Sequence, residues 1–191
     1  EKSTDKFTIK VTVKNTGDKY SGKETVQIYA QSPYTEYDKQ NGVEKSSVSL
    51  VGFAKTKLIE PGKSETLSIT VDRKELASYD TYGYGTYILE AGDYYLTAAT
   101  DAHNAVNNIL AKKGVTLASS ANRMDDRGNS DLVVTYHNDN FDVDTYSKSE
   151  NGKTIKYGNK LVYDGQTLAY GSKKDIAKSV KCLQFMFDNG K

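Results

Sequence analysis

Apolar and polar side chains alternate in short runs along the first hundred residues. Phe7, Ile9, Val11 and Val13 occupy every second position of residues 7–13, the spacing that sends them to one face of a half-buried strand. Residues 15–18 supply turn chemistry, and residues 24–30 resume the alternation with Val26, Ile28 and Ala30 in step. Residues 31–47 are polar and carry Pro33 and Gly42, so they read as a surface loop longer than most connections in a compact domain. Strand candidates follow at 48–51 and 54–59. After the Pro61-Gly62 turn, residues 66–71 place Leu67, Ile69 and Val71 on one face. That turn is expected to set the register between the strand ending near Ile59 and the strand starting at Thr66.

Residues 72–77 suit a single helical turn capped by Asp72, and the Tyr/Gly-rich residues 81–86 read as a loop. Residues 87–89 and 94–98, joined by a turn at 90–93, complete the pattern as a hairpin. About seven short strands with turns between them, and no strand–helix–strand alternation, predict an all-β sandwich of immunoglobulin type. Asp101 opens a short helix in which Ala102, Val106, Ile109 and Leu110 recur at helical spacing, and Gly114 is placed to stop it. The chain therefore divides into a sandwich with its helix at 1–114, a β-rich extension or connector at 115–171, and an amphipathic helix at 172–191. In the extension, residues 132–136, 154–157, 160–163 and 167–170 are strand candidates. In the last helix, Ile176, Val180, Leu183 and Phe187 form one stripe.

Composition removes several kinds of function. The 26 Lys and Arg residues nearly balance the 25 Asp and Glu residues, and no segment gathers them into the basic face that nucleic-acid binding uses. No run of 18 apolar residues is present to cross a membrane, and the N-terminal residues hold no apolar export core. With the single Cys182, these features lean toward a cytoplasmic setting. His103, His137 and Cys182 are too few and too scattered for a metal site, and neither histidine accompanies a nucleophile motif. The acidic run 139–144 has alternating oxygen ligands but lacks the central glycine of a calcium loop, so it reads as a solvated turn. No cofactor is expected. Tyrosine is the unusual residue, 15 against 5 Phe and no Trp. Its ring and hydroxyl suit strand faces, interfaces and sugar stacking alike. Four tyrosines fall in loops that a rigid scaffold could present as candidate substrate contacts: Tyr34 and Tyr37 in the long loop, and Tyr82 and Tyr84 in the glycine-rich one.

Five stretches occur in a telling order: Gly22-Lys-Glu-Thr-Val-Gln-Ile-Tyr29, Leu50-Val-Gly-Phe-Ala-Lys55, Leu58-Ile-Glu-Pro-Gly-Lys-Ser64, Leu76-Ala-Ser-Tyr-Asp80 and Ala91-Gly-Asp-Tyr-Tyr95. Residues 5–100 thereby resemble the fibronectin type III-like domain of glycoside hydrolase family 3. Residues 101–111 and 142–147 resemble, more loosely, the connector of members in which this domain precedes the barrel. The resemblance implies a sandwich that packs beside the catalytic domains of β-glucosidase-like enzymes. It also implies that the nucleophile and the acid/base lie in those other domains, so no catalytic residue is carried onto this chain. The expected role is a non-catalytic accessory module with a loop near substrate. The alternative is a carbohydrate-binding or adhesive sandwich that takes an oligosaccharide as partner.

Overall fold

The computed structural model describes residues 6–149 and 151–155. Among these are eight strands: β1 (Lys6–Lys14), β2 (Thr25–Gln31), β3 (Ser49–Lys55), β4 (Ser64–Asp72), β5 (Ser78–Asp80), β6 (Thr86–Ile88), β7 (Gly92–Ala99) and β8 (Val133–Asn138). Two α-helices accompany them, α1 (Glu36–Asn41) and α2 (Ala102–Lys112). β1 pairs with β4. A four-stranded antiparallel sheet runs β3-β2-β7-β8, and β5 and β6 form a short ribbon. The all-β sandwich expected from the alternation is the observed fold.

The core is made by the residues that the period-2 pattern selects. Val26, Ile28 and Ala30 of β2 meet Ile69 and Val71 of β4 and Tyr94 and Leu96 of β7, with Phe7, Ile9, Val11 and Val13 of β1 half-buried against them. A β-carbon on Gly52 would sit 3.2 and 3.3 Å from methyls of Ile69 and Val71, so its absence lets β3 lie close over β4.

Connectivity departs from the expected hairpins. The strands on either side of Pro61-Gly62 lie in different sheets, β3 against β2 and β4 against β1, and β3 ends at Lys55 rather than near Ile59. The turn is held instead by Asn15, whose carbonyl accepts from Gly62 N at 2.9 Å and whose amide donates to the Ile59 carbonyl at 2.9 Å. Ile59 makes an isolated bridge to Gly22. These contacts lead the chain across the sandwich, while Leu67, Ile69 and Val71 still share the inward face. Residues 87–89 and 94–98 likewise make no hairpin, since β6 pairs with β5 and β7 with β2 and β8. The Tyr94 hydroxyl accepts from Glu90 N at 3.0 Å and donates to Glu90 O at 3.1 Å, which ties down the crossing between them.

Three local readings also change. Residues 31–47 contain α1, capped by a reciprocal Thr35–Asp38 box and closed by Gly42 in the left-handed region. Asp72 caps nothing at the 3₁₀ turn Arg73–Leu76; its carboxylate faces Lys6 at 3.5 Å. On α2 the buried stripe is Ala105, Asn108 and Ile109 with Asn107, while Ala102 is exposed. The helix turns these amides inward because they satisfy the backbone of the loop that follows: Asn108 accepts from Asn129 N at 2.7 Å and Asn107 from Asp125 N at 3.3 Å, while Asn107 also donates to the Asp125 carboxylate. Asp101 caps α2, and Gly114 follows with φ +77°. β8, beyond residue 114, adds to β7 as the fourth strand of the sheet. Thr154 bridges Lys148. The strand candidates at 160–163 and 167–170, the helix from 172 and Cys182 lie outside the described residues.

Candidate functional site

One end of the sandwich gathers aromatic side chains from three separate segments. Tyr37 on α1 and Tyr84 in the β5–β6 loop stack with centroids 6.2 Å apart, and Phe141, just after β8, meets them at 5.0 and 5.9 Å. Tyr82 leans over α1's end, where a β-carbon on Gly42 would touch its ring at 3.4 Å. Tyr82, Tyr84 and Phe141 remain 71%, 57% and 40% exposed. Tyr34 is also exposed, at 56%, in the loop before α1 and outside the stack. The structure thus brings three of the four expected tyrosines to one end and leaves Tyr34 outside the stack.

Asp80, at the end of β5, holds this cluster in place. Its fully buried carboxylate accepts from the Tyr37 hydroxyl at 2.6 Å, Gly83 N at 2.8 Å and Tyr84 N at 2.7 Å. Burial pushes the carboxyl upward, but the hydrogen bonds from Tyr37 and the loop amides outweigh it and hold Asp80 below the usual carboxylate range. Burial, then the Asp80 hydrogen bond, raises the Tyr37 hydroxyl well above its ordinary value. Tyr37 therefore stays a neutral donor. Gly83 is required by this geometry, since a β-carbon there would lie 2.3 Å from both the Tyr37 hydroxyl and Asp80 Oδ2.

A buried ionic lock fixes α1 beneath the tip. The Lys45 ammonium donates to Asp38 Oδ2 at 2.8 Å, to the Pro33 carbonyl at 2.8 Å and to Glu90 Oε2. Thr35 donates its hydroxyl to Glu90 at 2.5 Å and its amide to Asp38 at 2.8 Å. Burial raises the Glu90 carboxyl, and Lys45 and Thr35 offset this in part. On the far side, Asn138 donates to the carbonyls of Glu90 at 2.7 Å and Asn140 at 2.6 Å, and Leu89 pairs with Asp142. This pairing sets Phe141 against Tyr37. The aromatic tip offers flat apolar faces rimmed by hydroxyls, a chemistry suited to a sugar ring or a protein surface. Among the described residues, no group of three or more His, Cys, Asp or Glu side chains is placed to hold a metal ion.

Phe141, Asp80, Lys45 and Glu90 were not singled out by sequence reasoning. Phe141 sits in a polar run, and the lock joins residues 45 positions apart. The usable local signal was the capping box of Thr35 and Asp38 followed by Gly42.

Comparison with known proteins places this end of the molecule in context. The family model described as a fibronectin type III-like domain matches residues 24–102, which run from just before β2 to the first turn of α2 and include all four candidate tyrosines. A β-glucosidase of Kluyveromyces marxianus is 35% identical over 103 residues, 54% of this chain and 11% of that protein. A β-glucosidase of Ruminococcus albus is 36% identical over 108 residues, 54% of this chain and 11% of that protein. The crystal structure of the Kluyveromyces marxianus enzyme in complex with glucose aligns with a TM-score of 0.50 at 27% identity, over 74% of this chain and 13% of that one. From β2 to β7 the sandwich matches a fibronectin type III-like domain. The similarity to these β-glucosidases extends over about half of this chain. The chain spans only about a ninth of the length of these relatives.

Proposed function

We propose that the chain is a non-catalytic module of a family 3 glycoside hydrolase that hydrolyses O-glycosidic bonds, packing beside its catalytic domains and presenting the aromatic tip toward substrate. The observation that carries this reading is the identity of 35–36% to β-glucosidases over about half of this chain. In this reading Tyr34, Tyr82 and Tyr84 are the contact residues, and Tyr37 is the ring on which the tip is built. Asp80 and the Lys45 lock position it. Assaying the isolated chain on nitrophenyl β-glucosides is expected to give no turnover, and turnover that copurifies with this polypeptide overturns catalytic inertness.

The second reading is a carbohydrate-binding sandwich, favoured by the exposed rings grouped at one end. Calorimetric titration with cello- and xylo-oligosaccharides separates the two. Heat that disappears in Tyr84→Ala or Tyr34→Ala favours direct binding, whereas no heat from the isolated chain leaves the tip to act only within the parent enzyme.

A further inference from the structure

The two outer faces of the sandwich differ in chemistry. The face formed by β1 and β4 shows Thr8, Lys10 and Thr12 opposite Thr70, Ser68 and Thr66, all exposed, which is the composition of a face left to water. The outer face of β3 is different. Its Phe53 and Leu50 are 69% and 51% exposed. These residues are three apart, so a regular strand would send them to opposite sides. A register shift in the β2–β3 pairing, between Ile28 and Tyr29, changes this. Phe53 lies opposite Gln27 and Leu50 opposite Tyr29, and Gln27 and Tyr29 share the outer face, joined by a 2.6 Å hydrogen bond. Bulges of this kind re-aim side chains and recur at functional edges. The bulge thus places two large apolar side chains side by side on the outside of an edge strand. Val48 continues the strip to the rim of a groove of about 400 Å³, where Ala102 and Val106 of α2 face it among polar side chains such as His103, Asn122 and Asp125.

We propose that this strip, Phe53, Leu50 and Val48 with the α2 groove, is the surface on which the module seats against the remaining domains of its parent enzyme. The inference rests on reading the chain as such a module. The partner is the parent's own polypeptide, because about nine-tenths of each matched relative lies outside the region this chain covers. It must offer an apolar surface with room for one phenyl ring, since an aromatic anchor surrounded by aliphatic contacts is the usual centre of a protein interface. The Lys/Thr face of β1 and β4 stays in water.

Hydroxyl-radical footprinting of this chain and of the full parent polypeptide reads the strip directly, with exposed Tyr20 as the control. Oxidation of Phe53 and Leu50 is expected to fall several-fold in the parent while Tyr20 is unchanged, and Phe53→Asp is expected to lower the parent's thermal midpoint while leaving that of this chain in place. If Phe53 stays reactive in the parent while another surface, such as Leu58 or the aromatic tip, is protected, the seating face is wrong and the module reading stands. If no surface of the chain is protected in the parent, both fail. A dimer of this chain in light scattering that Phe53→Asp dissociates would assign the strip to a second copy and overturn the proposal.

Discussion

Asp80 shows how much one buried side chain organises. Three donors converge on its carboxylate, and Gly83 leaves them the space. Gly83→Ala must push the Tyr37 hydroxyl off Asp80, and Tyr37→Phe removes the same bond without crowding. Each is expected to cost about 1–3 kcal/mol by urea denaturation, with Gly83→Ala the larger because it adds a clash. Asp80 is held below the usual carboxylate range when folded. Its stabilisation is therefore fully present above that range and is lost as pH falls through its folded value. Tyr37→Phe shrinks that acid-side loss, which denaturation at acid and neutral pH will measure. The alternation rules see none of this, because they register only whether Asp80 is polar and not that it lies fully buried beneath two loops.

At the scale of elements, α1 and β8 are each fastened by charge. Lys45→Met leaves Asp38 and Glu90 buried without their counter-ion, and breaking a buried pair from one side costs about 3–5 kcal/mol. The expected result is a matching loss of stability together with faster amide exchange across α1. β8 is held to β7 partly by His137, which faces Asp93 at 2.5 Å and Asp139 at 3.6 Å. The hydrogen bond to Asp93, more than the neighbouring charges, raises the imidazole above its ordinary value. The contribution of the charged pair is present below the ordinary histidine value and fades as pH rises through the folded one. The protection of β8 amides, after correction for the intrinsic pH dependence of exchange, is expected to fall from mildly acidic to mildly alkaline pH, and His137→Ala to flatten that fall. The strand itself was legible as an apolar run at 132–136. Its place beside β7 was not, because 33 residues separate the two strands.

Across the whole molecule, the matched domain and the sandwich have different limits. The family match covers 24–102, yet β1 supplies half of one sheet and β8 closes an edge of the other. α2 packs on β7 and holds the 125–129 loop through Asn107 and Asn108. We propose that residues 6–138 unfold together. A chain cut after Gly114 then exposes the β7 edge, and it is expected to melt at a lower temperature and to associate through that edge. Light scattering during a thermal ramp checks both, and an unchanged midpoint would show that β8 is dispensable.

The sequence by itself determined the inward faces of β1, β2 and β4, the Pro61-Gly62 turn and the all-β class, because side-chain alternation and turn chemistry act within a few residues. The tertiary structure decided which sheet each strand joins, since that depends on closing loops and matching surfaces between distant segments. The Pro61-Gly62 turn illustrates the division. Its conformation is written locally in Gly62, with φ +72°, but its use as a passage between sheets depends on Asn15, far earlier in the chain. The candidate site divides in the same way. Its tyrosines could be named from their loops, whereas Asp80, Lys45, Glu90 and Phe141 became partners only when the fold carried them together, 43 residues for Tyr37 and Asp80 and 45 for Lys45 and Glu90.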